Sequence, residues 1–299
     1  MADIVIVLQT HPVLLGLFAG ILGLVVGSFL NVVIHRLPQM MEQDWQEQAV
    51  SVLQDVDLKD CAQKLAMHRP AGLYNLVVPA SACPKCGHRI RATENIPLVS
   101  YLLLRGRCSQ CKAPISLRYP LVELVAGVLS GFIAFRYGFS LATAGALLFA
   151  WALIALTVID IDTQLLPDDI TLLLLWTGLL FNLGGTFVPL PEAVLGAVSG
   201  YLALWTVYWL FKLATGKEGM GFGDFKLLAA VGAWVGWKLL PLVILLSSAV
   251  GALVGVALIL FRRQGRTTPI PFGPYLAAAG LIVMLWGEWL NNTYLQLFN

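Results

Sequence analysis

The sequence predicts an all-α polytopic membrane protein of about eight transmembrane helices, with a cytoplasmic zinc-ribbon-like insertion between helices 1 and 2. Three observations predict it. The chain has 299 residues, of which 58% are hydrophobic and only 12% charged. Its apolar residues gather into runs near the ~20-residue length that crosses a hydrocarbon core. One long polar segment after the first run carries two CxxC pairs. Lipid offers backbone groups no partners, so helices are the expected spanning form.

The runs lie at 12–34, 120–135, 141–159, 170–188, 192–213, 225–239, 242–261 and 275–290. The second and sixth are short. Pro241 sits between two runs, where a proline makes either a kink or a turn. No basic residue precedes the first run and no small-residue cleavage pattern follows it, so it reads as a retained anchor and not as a secretory signal.

Charge placement sets the expected topology. Of the 19 Lys and Arg residues, 11 lie from Arg36 to Arg118, which assigns that segment to the cytoplasm under the positive-inside rule. Threading the chain back and forth then puts Lys212, Lys217, Lys226, Arg262, Arg263 and Arg266 inside, and only Arg136 and Lys238 outside. Both termini are expected outside the cytoplasm. The acidic stretches 160–169 and 221–224 both reach the cytoplasmic face. The net charge of +2 gives no sign of a nucleic-acid partner.

Within the polar segment, CPKCGHRI and CSQCKAPI supply Cys83, Cys86, Cys108 and Cys111, with 21 residues between the pairs. Each CxxC turn aims two thiolates at one point, and two such turns make the tetrahedral sulfur cage that zinc prefers. A redox dithiol needs only one motif, and a reducing cytoplasm disfavours disulfides. The site reads as structural, and Cys61 as a lone thiol. Residues 39–64 are polar with Trp45, Val52, Leu53 and Leu58 at loosely helical spacing, which predicts a surface helix packed on the cysteine module. No nucleotide-binding glycine loop, serine elbow or internal repeat is present.

Two acid clusters carry the chemistry. In VIDIDTQLLPDDI, Pro167 breaks the helix, and Asp168 or Asp169 reads as an N-cap for the next span. Asp160 and Asp162 instead follow an uninterrupted apolar run, where an unpaired carboxylate costs about several kcal/mol. In EGMGFGDFKLL, Asp224 follows Gly219, Gly221 and Gly223, which allow tight or left-handed turns and close approach. Lys226 is near enough to help Asp224 keep its charge. Two carboxylates in a low-dielectric cleft can share one proton, one activating water and the other protonating a leaving amine, which is peptide hydrolysis by aspartates. The competing use of intramembrane acids is a proton or cation path in a transporter. Against it, these acids lie at a membrane face and no broken half-helices repeat.

These motifs resemble, over nearly the whole chain, the type IV prepilin peptidase family, bifunctional leader peptidases and N-methyltransferases of the bacterial inner membrane. GSFLNVVIHRLP (27–38) is similar to the family's opening signature, the paired CxxC knuckles and NIPLVSYLLLRGRC (95–108) to its cytoplasmic domain, and IDIDTQLLPD with GMGFGDFKLL to its catalytic core. The resemblance implies a GxGD catalytic aspartate at Asp224, supported by Gly221, Gly223 and Lys226. It implies the second at Asp160, seven residues before Pro167 in the D-x-x-x-x-x-[LI]-P pattern, with Asp162 as fallback. Residues two apart on a helix point about 200° apart, so both cannot face Asp224.

The resemblance further implies cleavage of prepilins and pseudopilins on the cytoplasmic side, after a glycine that ends a short basic leader. It implies N-methylation of the new terminus with S-adenosylmethionine, which the family associates with a glycine–lysine pair before the third cysteine. Here that pair is Gly106 and Arg107, whose bland alternative is a solvated loop charge. Glu123 is expected either to pair with a base such as Arg118 or to line the substrate path. The expected division is 1–35 as first helix, 36–118 as cytoplasmic zinc-binding domain and 119–299 as membrane peptidase domain, with both termini periplasmic. A zinc-dependent assembly factor that binds pilins without processing them is a further rival.

Overall fold

A computed structural model describes residues 2–55, 58, 61, 73–262 and 271–296. Of the readings above, residues 56, 57, 59, 60 and 62–64 of the polar stretch 39–64, and Arg263 and Arg266, lie outside the described residues. Among the described residues the fold is all-helical, with only two isolated β-bridges. Among the described residues, six helices are long and apolar enough to cross a membrane. Contacts divide the chain into two compact units, residues 1–23 with 126–299, and residues 24–125.

The short α1 (Ala2–Thr10) precedes α2 (Pro12–Asp55), a helix of 44 residues that continues through Pro38. The polar stretch after residue 38 is therefore not a separate surface helix on the cysteine module. It extends the first apolar helix to Asp55, and Trp45 and Val52 stay exposed along it. In residues 24–125 there follow the five-residue α3 (Val99–Leu103) and the start of α4 (Arg118–Tyr137). The α2 and α4 helices run antiparallel: a Cβ on Gly16 would come 3.3 Å from the Gly131 carbonyl, and one on Gly23 would come 2.6 Å from Ser130 Cβ. Small residues at such crossings let helix backbones approach closely in lipid.

The remaining helices are α5 (Leu141–Thr163), α6 (Asp168–Phe181), α7 (Leu190–Thr215), α8 (Phe222–Val235), α9 (Leu240–Arg262) and α10 (Gly273–Gln296). Ser140 caps α5 by accepting from the Thr143 amide at 3.3 Å. The fourth and sixth predicted spans appear as α6 and α8, each 14 residues long, or about 21 Å of rise. That is short of a full crossing. Gly236, with φ of +77°, ends α8 although the apolar run continues to residue 239, and a 3-10 turn over Trp237–Leu239 leads into α9. Pro241 thus falls in the first turn of α9, where a missing N–H costs nothing.

Helix α8 is apolar on all faces and buried almost throughout, as expected of a helix enclosed by others. It packs against α6, α7 and α10, and α10 also packs against α5. Trp234 fills the centre. Its indole donates to the Leu174 carbonyl at 2.8 Å, and Gly178 leaves the room for it. Buried Asn182 donates to the Ala233 carbonyl at 2.9 Å and accepts from the Phe187 and Val188 amides, so the turn after α6 is fastened to α8. On α7, a Cβ at Gly200 would stand 2.6 Å from the Leu228 carbonyl, which explains the close α7–α8 crossing. These fixed contacts set the position of the first turn of α8, where Asp224 lies.

Candidate active site

Asp160 sits one turn before the end of α5 and Asp224 in the first turn of α8. Both are buried, at 5% and 8% exposure, and they lie within electrostatic range of each other. Asp162 and its neighbour Ile161 are exposed, on a different side of the helix end. The two-residue offset turns the side chain away by about 200°, so Asp160 and Asp224 come together without Asp162. A carboxylate in the first turn of a helix also faces the unpaired amides there, which favour negative charge.

Neither acid stands alone. The amide of Gly273, the first residue of α10, donates to Asp160 Oδ2 at 2.9 Å. The α5 helix closes at Gln164, whose left-handed backbone directs its amide to the Asp160 carbonyl. Leu166 then lies against the starts of α8 and α10: a Cβ on Gly223 would meet its Cβ at 2.8 Å, and one on Gly273 would meet its Cδ2 at 3.2 Å. Leu166 and Gly273 escaped the sequence reading. The Gly273–Pro274 step at the start of an apolar run is a helix-start signal, but nothing in it points to an acid more than a hundred residues earlier.

Three expectations about this region need correction. Gly219, Gly221 and Gly223 are not in the left-handed region, so they do not serve as turn formers. Space is what they supply: a Cβ on Gly219 would come 2.8 Å from Phe211, and Gly223 makes room for Leu166, while a Cβ on Gly221 would make only an ordinary 3.9 Å contact with Asp224. Lys226 does not turn to Asp224, because two residues along the helix it points elsewhere; its ammonium holds both oxygens of Asp168 at 2.7 Å. Asp168 and Asp169 are not N-caps. Pro167 occupies the cap position, and both acids stand in the first turn of α6, where the helix dipole favours them.

In residues 24–125, the Sγ atoms of Cys83, Cys86, Cys108 and Cys111 lie within 4.8 Å of one another. Cys83 and Cys111 are 3.8 Å apart, and Cys86 and Cys108 3.9 Å. A tetrahedron with metal–sulfur bonds of about 2.3 Å has edges of about 3.8 Å, whereas a disulfide needs about 2.05 Å. The residues fit a four-thiolate metal cage.

The two knuckles are built alike. The amides of Gly87 and Lys112, both with positive φ, return to the carbonyls of Cys83 and Cys108, and the Cys83 and Cys108 amides donate to His88 and Ala113. Amides of Cys86 and Lys85 aimed at the Cys83 sulfur bring that thiol down to about 6, whereas at Cys86 the His88 amide is outweighed by desolvation and the neighbouring thiols, which push it up to about 11. Next to the cage, Glu94 accepts from the Arg91 amide at 2.9 Å and meets His88 Nε2 at 3.0 Å.

Gly106 is buried with φ of +65°, and a Cβ there would lie 2.7 Å from the Tyr101 hydroxyl. Its position requires glycine for the fold of the knuckle. Arg107 is exposed and forms a bridge with Pro114. Glu123 is buried and accepts from the Leu98 amide at 2.8 Å.

The chain matches the description "Bacterial Peptidase A24 N-terminal domain" over residues 21–137 and "Type IV leader peptidase family" over residues 147–256. It is 56% identical over 290 residues to a prepilin leader peptidase/N-methyltransferase of Stutzerimonas stutzeri, covering 97% of this chain and 96% of that one. Proteins of the same name from Pseudomonas aeruginosa and Aeromonas hydrophila are 56% and 57% identical, covering 97% and 92% of this chain and 96% and 92% of their own. No solved structure matches it. Identity at this level along nearly the full length, with both profiles in order, makes the chain a member of the type IV leader peptidase family.

Proposed function

We propose that this protein cleaves the short basic leader of prepilins and pseudopilins after a glycine, and then methylates the new amino terminus with S-adenosylmethionine. The names of its relatives supply the two activities. The observation that carries the peptidase reading is the pair of buried carboxylates, Asp160 and Asp224, brought from separate helices into each other's field.

In this reading one carboxylate takes a proton from a water as that water adds to the scissile carbonyl. The other, protonated, gives its proton to the departing amine as the C–N bond breaks. Gly273 fixes the rotamer of Asp160, and Leu166 excludes water from the flank of the pair. Cleavage takes place at the cytoplasmic face of the inner membrane, with both termini periplasmic and the cysteine domain cytoplasmic. The domains divide as 1–35, 36–118 and 119–299. The four cysteines hold zinc, which keeps the insertion folded; Gly106 shapes the loop before the third cysteine, and Arg107 presents its charge there. Prepilins and pseudopilins in the bilayer are the partners, and nucleic acid is not.

A transporter reading of the same acids gains no support from these relatives. Mass spectrometry of a processed pilin amino terminus, with and without the methyl donor, tests the proposal. An intact prepilin after incubation with the reconstituted protein would overturn it, and cleavage without added methyl mass would remove the second activity alone.

A further inference from the structure

We infer that α3 and its flanks, residues 96–104, form an interfacial membrane element that buries Val99, Leu102 and Leu103 in the headgroup–acyl boundary beside the first turns of α4. The inference concerns residues 24–125 and does not depend on the aspartate reading. Leu102 and Leu103 are 73% and 79% exposed, and Ile96, Val99, Leu117 and Leu121 are exposed with them. Large leucines this open in water are costly, and several exposed apolar side chains gathered in one short element mark an interaction surface.

Depth identifies the partner. The apolar part of α2 ends at Ile34, so His35 and Arg36 stand at headgroup level. Asn31 Nδ2 donates to the Tyr119 carbonyl at 3.1 Å, which aligns α2 with the start of antiparallel α4. From there Glu123 is four residues further into the bilayer and Arg36 five residues further out, an axial separation of about 13 Å at 1.5 Å per residue. The interfacial layer on one side is only about 5–8 Å thick. Since Glu123 accepts from the Leu98 amide at 2.8 Å, the start of α3 is held at the depth of Glu123, past the headgroups.

The backbone of this element is prepared for lipid. Irregular chain tolerates a bilayer only if its polar groups are paired internally. The Ile96 amide donates to Ser100 Oγ, Ser100 Oγ to the Thr93 carbonyl, and the amides of Ser100, Leu102, Leu104, Arg105, Gly106 and Arg107 all reach carbonyls within residues 96–104. Leu98 adopts φ of +58°, a reversal held by the Glu123 bond. Arg105 and Arg107 follow the leucines and are exposed, which places positive charge where the chain returns to anionic headgroups.

The test places the photo-crosslinking residue p-benzoylphenylalanine at Leu103 of the full-length protein. The protein is reconstituted in phosphatidylethanolamine–phosphatidylglycerol vesicles with a synthetic prepilin present, and Gln46, on the polar end of α2, serves as control. The expected result is phospholipid adducts at Leu103 at least fivefold above those at Gln46, with the same outcome at Leu102. Adducts mainly to the prepilin or to a second copy of the chain would overturn the inference, as would lipid adducts no more frequent than at Gln46. Retention of bound zinc and an unchanged elution volume show that each labelled protein is folded.

Discussion

The amide of Gly273 donates to Asp160 Oδ2 at 2.9 Å, so the first residue of α10 holds the carboxyl at the end of α5. A methyl group at this position would stand 2.6 Å from that oxygen and 3.2 Å from Leu166 Cδ2. Gly273→Ala therefore forces the Asp160 carboxyl to turn or α10 to withdraw. Misplacing a reacting group by about 1 Å costs about 10²-fold in rate. The expected outcome is a fall in leader cleavage of about 10- to 100-fold, with methylation of a pre-cleaved pilin unchanged. Equal loss of both activities would point to general unfolding and remove the positioning role.

The choice between Asp160 and Asp162 is open to direct assay. Asn at 160 or 224 keeps the size of the side chain but removes the proton transfer, worth about 10²–10⁴-fold for a general acid or base. Purified Asp160→Asn and Asp224→Asn proteins should leave a synthetic prepilin uncut, while Asp162→Asn, at an exposed position, retains most of the rate. Loss through Asp162 with Asp160 dispensable would show the wrong carboxylate has been assigned.

Much of this site is legible in the sequence because its signals are local. An acid after an apolar run, a GxGD turn and two CxxC pairs each declare their chemistry within a few residues. Burial of Asp160 with Asp224, and exposure of Asp162, follow from helical periodicity once α5 is known to continue to Thr163. Long-range relations are what the sequence hides. The Gly273 amide finds Asp160 only because α10 packs across α5 and α8, and the Lys226 ammonium finds Asp168 because α6 packs on α8. Helix length was hidden for a similar reason. Apolar content runs on past Val235, but the left-handed backbone at Gly236 ends α8 there.

Metal removal separates the two parts of the protein. If zinc joins the four thiolates, stripping it leaves two turns whose sulfurs repel or oxidise and whose connecting chain has only the five-residue α3 and a 3-10 turn to hold it. Dialysis against a strong chelator should release about one zinc per chain and open the segment between Cys83 and Cys111 to trypsin, which has Lys85, Arg89, Arg91, Arg105 and Arg107 to cut. Methyl transfer is expected to fall with it. A segment that stays resistant to trypsin after complete loss of metal would show that the cage is not what folds it.

The Lys226–Asp168 pair decides whether the lysine beside the GxGD aspartate acts in the reaction. Its side chains are 30% and 54% exposed, so the attraction is screened and such pairs contribute about 0–1 kcal/mol. Lys226→Met keeps the aliphatic stem and deletes the charge. Because the ammonium is committed to Asp168 and two residues separate it from Asp224 around the helix, Asp224 keeps its surroundings. Cleavage by Lys226→Met should then fall less than about threefold, and Asp168→Asn should have a similarly small effect, since each removes the same pair. A loss of 100-fold or more in Lys226→Met alone, with Asp168→Asn near wild type, would mean that Lys226 leaves Asp168 when substrate binds and serves the aspartates directly.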